Sequence, residues 1–206
     1  MGDAEGEPAA VPSPAPERKR VRDIALMRAL AHPLRSELLG YLMAVGPRTA
    51  SQCATSVGST PSNCSWHLRQ LARFGLVERA ETADGRERPW RACQVGLELG
   101  PFDDDIARRS AQLGVTAEML RRQDQLTQRF LDSYGDLPHP WQEAMALNDY
   151  ALLTTSRELC ELIEAVDALV RPFVRANRVD APAEAAPVHL GLRTFLRLEA
   201  DGRTEA

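Results

Sequence analysis

The stretch 49–77 constrains this chain most, because two sets of helix-end signals face each other there across only three residues. Thr49 offers a side-chain cap to a short helix over residues 50–57. Gly58 ends that helix, since glycine adopts the left-handed conformation of a helix stop without strain. Ser59-Thr60-Pro61 then reopens a helix at once, with a hydroxyl cap followed by proline at the first helical position. The second helix runs over residues 60–74 and stops at Gly75. The spacing therefore predicts a short helix, a tight turn and a longer helix.

The flanks extend this pattern into a compact module. Upstream, Val21, Ile24, Ala25, Met27 and Leu30 fit one face of a helix over residues 18–30, which Pro33 interrupts. Leu34, Leu38, Leu39, Leu42 and Met43 form the apolar face of a second helix, closed by Gly46-Pro47. Beyond Gly75 the apolar period changes from 3.6 to 2. Residues 76–81 read as a strand, Asp84-Gly85 as a hairpin turn and residues 88–95 as the return strand. Four helices and a hairpin within about 75 residues make an α+β module, mostly helical, containing a winged helix-turn-helix.

Charge separates this module from the rest. Residues 18–92 carry 13 Arg or Lys against 6 Asp or Glu, whereas residues 93–206 carry 12 bases against 19 acids and residues 1–17 carry four acids and no base. A basic module ahead of an acidic one points to a polyanion partner for the first alone. All but one of the 25 basic residues are arginine, so arginine richness by itself says little about phosphate. Residues 1–17, rich in Pro, Ala and Glu, read as a disordered acidic tail without the basic and apolar regions of a secretory signal. No run of about 18 apolar residues is present, so a membrane span is not expected and the expected location is cytoplasmic.

The longer helix carries the chemistry of recognition. At about 15 residues, or roughly 22 Å, it is long enough to lie along a DNA major groove. Leu68, Leu71 and Ala72 are its expected core side. The candidate DNA-binding residues are Thr60, Ser62, Asn63, Ser65, Trp66, Arg69, Gln70 and Arg73, with Arg86 and Arg88 on the hairpin. Small hydroxyl and amide groups near the helix start suit base edges, and Arg69 and Arg73 suit phosphate or guanine. Arg86 and Arg88 suit the backbone or the minor groove. His67 is expected to pack rather than catalyse, and His32-Pro33 to set the turn between two helices.

These residues also carry a family resemblance. Ala29-Leu30-Ala31-His32-Pro33-Leu34-Arg35, Ser65-Trp66-His67-Leu68-Arg69-Gln70-Leu71 and Gly75-Leu76-Val77-Glu78 together resemble the ArsR-type winged helix-turn-helix of bacterial transcription regulators, over about residues 20–95. The resemblance implies a DNA-binding homodimer with the 60–74 helix as reader and the 82–87 hairpin as wing. Trp66 stands where that pattern carries a smaller polar residue or tyrosine. Metal-responsive members carry a Cys-x-Cys pair or His/Asp/Glu clusters. Here Cys53, Cys64, Cys93 and Cys160 stand apart, and the Cys64-x-x-His67 pair offers too few ligands, so no metal or other cofactor is expected. Cys53, Cys64 and Cys93 are expected to be small buried hydrophobes.

The expected organisation is thus a tail at 1–17, a winged helix-turn-helix domain at 18–95, and a dimerisation and effector region at 96–206. The last is read as mixed helix and strand. Helices are expected over 103–113 and 116–134, a linker at Pro138 and Pro140, a strand over 145–153, an amphipathic helix from Ser156 through Val170, and a last strand through Val188, Leu190, Leu192 and Leu196. The leading expectation is a sequence-specific transcriptional regulator, a repressor binding double-stranded DNA as a homodimer, and not an enzyme. The alternative is a small-molecule-binding protein or enzyme working through the acidic half, where Phe130, Tyr134, Trp141 and Tyr150 would line an apolar pocket for an effector.

Overall fold

The computed structural model describes residues 18–81, 88–178 and 180–203. Its first element is a strand, β1 (Arg18–Arg20), followed by α1 (Ile24–Leu30), α2 (Pro33–Val45), α3 (Ala50–Val57) and α4 (Pro61–Arg73). Strands β2 (Val77–Arg79) and β3 (Trp90–Ala92) pair antiparallel, with Val77 opposite Ala92 and Arg79 opposite Trp90. A fourth strand, β4 (Gly96–Glu98), pairs parallel with β1. Three helices follow: α5 (Ile106–Asp132), α6 (His139–Glu143) and α7 (Ser156–Val170).

Local signals account for most of the first half. Asp23 caps α1 by accepting from the Leu26 N–H at 2.8 Å. Thr49 and Gln52 form a reciprocal capping box at the start of α3. Thr60 caps α4, with Pro61 at its first position. Gly58 closes α3 at φ +62°, and a Cβ added there would meet nothing within 4 Å. Substituting Gly58 by alanine is therefore a pure backbone test. We expect a loss of about 1–2 kcal/mol, the usual cost of left-handed geometry for an L-residue, read as a melting temperature lower by several degrees.

The core lies between α1, α2, α3, α4 and the start of β2, and Leu30, Leu38, Leu39, Leu42, Leu68 and Leu71 are its largest fully buried members. Helix α5 leans on this core through Val115, crossing α1 and α2. Gly114 faces Ala31 across this contact, where an added Cβ would stand at an ordinary packing distance of 3.6 Å.

Several expectations are corrected. The first helix begins at Ile24 rather than at 18, because Arg18–Arg20 pairs with β4 and buries Val21, whose N–H reaches the Glu98 carbonyl at 2.9 Å. The helices expected over 103–113 and 116–134 are one, α5. Thr116 does not cap; its hydroxyl donates to the Gln112 carbonyl at 2.9 Å within an unbroken helix. The Pro138–Pro140 linker contains α6, where Pro140 sits in the first turn. Residues 145–153 and 188–196 form no strand: among the described residues no other strand pairs with either, and 188–196 lies instead beside α5, whose backbone groups are spent within the helix. No helix among the described residues is long and apolar enough to cross a membrane.

Candidate nucleic-acid interface

Helix α4 divides cleanly into two sides. Cys64, His67, Leu68 and Leu71 recur at helical spacing and are buried against α2 and α3. That seam forces the opposite side outward. Thr60, Ser62, Asn63, Trp66, Arg69 and Arg73 are exposed, while Ser65 and Gln70 sit at the boundary. Eight of the ten expected contact residues therefore share one surface.

Their hydrogen bonds are local and exchangeable. Thr60 Oγ1 accepts from the Asn63 N–H at 3.3 Å and lies 3.2 Å from Ser62 Oγ. Asn63 Nδ2 donates to Ser59 Oγ at 3.1 Å. Arg69 donates to Ser65 Oγ at 3.2 Å and Arg73 to Gln70 Oε1 at 3.4 Å, long bonds one turn along the helix. Neither arginine has a carboxylate partner among the described residues. Both guanidinium groups are free to exchange a weak neutral contact for a charged one.

The strand pair adds a cation that sequence reasoning missed. Arg79, at the end of β2, lies over the Trp90 ring at 4.0 Å and donates to the Arg88 carbonyl. Partial burial, then the charges of Arg69 and Arg88, pull its pKa below the usual arginine value. Arg79 thus feels the charges of Arg69 and Arg88, and none of the three has a carboxylate partner among the described residues, an arrangement that suits a polyanion. No spacing in the sequence points to Arg79, since its place is set by the strand register that puts it opposite Trp90. Arg91, by contrast, is neutralised by Glu78 at 2.6 Å. Arg88 is exposed beside this cluster; Arg86, with the rest of the expected wing tip at 82–87, lies outside the described residues. Lys19 Nζ donates to the Phe74 carbonyl at 2.6 Å, closing the C-terminal end of α4 with a cation.

Trp66 is half exposed and meets His67 edge-on, with ring centroids 4.7 Å apart. His67 in turn packs against His32 at 4.6 Å, tying the buried seam of α4 to the start of α2. The Nδ1 atoms of both histidines are buried without a hydrogen-bond partner among the described residues. Burial lowers both pKa values; the His32 and Arg35 charges add to this at His67, as Arg35 does at His32. A histidine depressed by folding adds stability above its unfolded pKa of about 6.5, and that stability is lost as the pH falls through the folded value. The melting temperature should therefore drop between pH 7 and pH 5.5, with a shallower drop in His67→Gln. An equal slope in both proteins would remove this pair as the cause.

The cysteines divide. Cys53 and Cys64 are buried in the core, and burial pushes the Cys53 thiol up to about 11 and raises that of Cys64. Cys93, expected inside, is exposed because it follows the last residue of β3 and faces away from the core. In the acidic half, Asp105 caps α5 while Asp103 and Asp104 pair with Arg108 and Arg109. Glu158 completes a capping box with Thr155, and Glu161 pairs with Arg157. An open cleft of about 690 Å³ lies between β1 and α7, lined by Arg18, Ile163, Asp167, Ala168, Arg171 and Asn177 among others. None of the four aromatic residues expected to form a pocket lines it. Phe130 and Tyr134 pack on each other edge-on at 5.9 Å, and Trp141 and Tyr150 are exposed.

A family model described as a helix-turn-helix domain matches residues 30–80. Among solved structures, the chain is similar to a transcriptional regulator homologue from Pyrococcus horikoshii, at 22% identity over 50% of this chain and 92% of that one, with a TM-score of 0.32. It is also similar to a MarR-family transcription regulator, at 18% identity over 72% of this chain and 78% of that one, TM-score 0.31. A third is a MepR mutant from S. aureus bound to an oligodeoxyribonucleotide, at 16% identity over 69% and 89%, TM-score 0.29. No curated protein sequence matches the chain.

Proposed function

We propose that this chain is a sequence-specific, DNA-binding transcriptional regulator of the ArsR type, acting as a homodimer and repressing by occupying the DNA it reads. The observation that carries this reading is the two-sided α4. A fully buried seam of Cys64, Leu68 and Leu71 holds Ser62, Asn63, Trp66, Arg69 and Arg73 on one free face, beside the cations of Arg79 and Arg88. In the groove, the small groups at the start of α4 approach base edges, and the arginines toward its end meet phosphate or guanine. The Ser62 N–H, which the cap at Thr60 leaves open in the first turn, faces a phosphate. Two such helices in one dimer would read half-sites about one helical turn apart. The acidic region 96–206 holds the two copies together and stays off the DNA by like-charge repulsion. An effector that releases the DNA would bind in this same region.

Fluorescence anisotropy with labelled duplexes tests this reading, using the gene's upstream region, a scrambled control and a salt series. Tight binding to the upstream duplex, with weaker and more salt-sensitive binding to the control, is the expected result. Absence of binding to either duplex at low salt would end the DNA reading.

A further inference from the structure

The second half of the chain is built unlike the first. Among the described residues up to 99, Trp66 is the one large exposed apolar side chain, whereas beyond 100 such side chains are numerous. Helix α7 is well formed, with a capping box at Thr155 and Glu158, yet none of its residues is buried. Residues 188–198 run beside α5, where Arg193 donates to Gln123 at 2.9 Å and to Asp124 at 3.1 Å. That seat is polar. Leu190, Leu192, Phe195 and Leu196 all remain more than half exposed.

Surface area gives this a scale. The chain exposes 15,592 Å², whereas a compact protein of its mass exposes about 9,500 Å². Even if the 27 residues outside the described set were given the largest area an extended chain can have, the expectation would rise only to about 12,600 Å². About 3,000 Å² per chain is still in excess, more than the roughly 1,000–2,500 Å² that each partner of an obligate interface commonly buries.

We infer that residues 188–198 form an arm that lies across α7 of a second copy, reciprocally, so that two arms and two copies of α7 bury one continuous apolar layer. This rests on the homodimer reading above and names the surface that makes the dimer. A second copy fits better than an unrelated partner because the two apolar faces are complementary in charge. The arm carries His189, Arg193 and Arg197 and no acid, while α7 carries four acids and one arginine. Arg197 and Glu164 have no charged partner among the described residues. A twofold arrangement satisfies both faces at once and closes the assembly.

The test uses the full chain with a photoreactive phenylalanine analogue at Leu192, co-expressed with a second copy bearing a different tag. The expected product carries both tags, and its cross-link maps to α7. Sedimentation of Leu192→Arg should show the dimer dissociation constant raised at least tenfold, with helix content unchanged by circular dichroism. A wild-type dimer that gives no inter-copy cross-link, and that Leu192→Arg leaves intact, overturns the arm while the dimer reading stands. A wild-type monomer at tens of micromolar overturns both.

Discussion

A protein carrying Arg69→Ala and Arg73→Ala together should bind its DNA about 10- to 100-fold more weakly near physiological salt, with its fold intact. Both side chains are exposed, and their contacts within the chain are single long bonds to Ser65 and Gln70 one turn away. Their loss leaves the core untouched, so the melting temperature should move by no more than a degree or two. The salt dependence separates two roles. Where both arginines meet phosphates, the slope of log K against log salt becomes shallower by about 1.8, and the upstream and scrambled duplexes lose affinity alike. Where one arginine reads a guanine, the specific duplex loses more than the control. Arg79→Ala alone should repeat part of the effect, because Arg79 stands close enough to Arg69 to feel its charge. Unchanged affinity in the double variant would show that α4 is not the reading helix.

The parts of the fold legible in the sequence are those whose signals are local. Thr49 with Gly58, and Thr60 and Pro61 with Gly75, mark both ends of α3 and α4 within a few residues, and the caps do what their chemistry suggests. The apolar spacing from Ser156 through Val170 likewise gives α7, though its cap at Thr155 and Glu158 emerges only in the structure. Reading failed where a local signal was ambiguous. Thr116 looks like a cap, but inside α5 it bonds back to Gln112, and only packing against α1 and α2 decides between the two. It also failed where pairing is long-range. Arg18–Arg20 has no strand-like alternation of its own and becomes a strand because β4, almost 80 residues later, lies beside it. The stretches 145–153 and 188–196 show the reverse case, alternation without a strand to pair with among the described residues.

The candidate site follows the same rule. The outward face of α4 was legible because a helix fixes which residues share a side, and the buried seam at 64, 67, 68 and 71 confirms the phase. Arg79 was not, since its position over Trp90 depends on strand register and not on spacing along the chain. The contact between His32 and His67 depends on how α2 crosses α4, which no motif records.

Leu68→Ala should be among the most damaging substitutions in α4, costing about 3 kcal/mol within the usual 2–5 for a buried leucine. Leu68 is fully buried where α4 packs on α2 and α3, and rigid helices cannot close over the space its removal leaves. Urea unfolding should show a lower midpoint at an unchanged slope, the sign of a stability change within one cooperative unit. Affinity for DNA should survive at low temperature, where the folded form still dominates, and fall on warming as that form is depleted. Leu169→Ala on α7 is the natural contrast. With 73% of Leu169 exposed in one chain, the change should cost under about 0.5 kcal/mol if the chain acts alone. A cost that grows with protein concentration would instead place Leu169 inside the dimer, because only an assembled form can bury it. A small cost for Leu68→Ala would mean that α4 is held by something other than its buried seam, and the phase of its outward face would need to be assigned again.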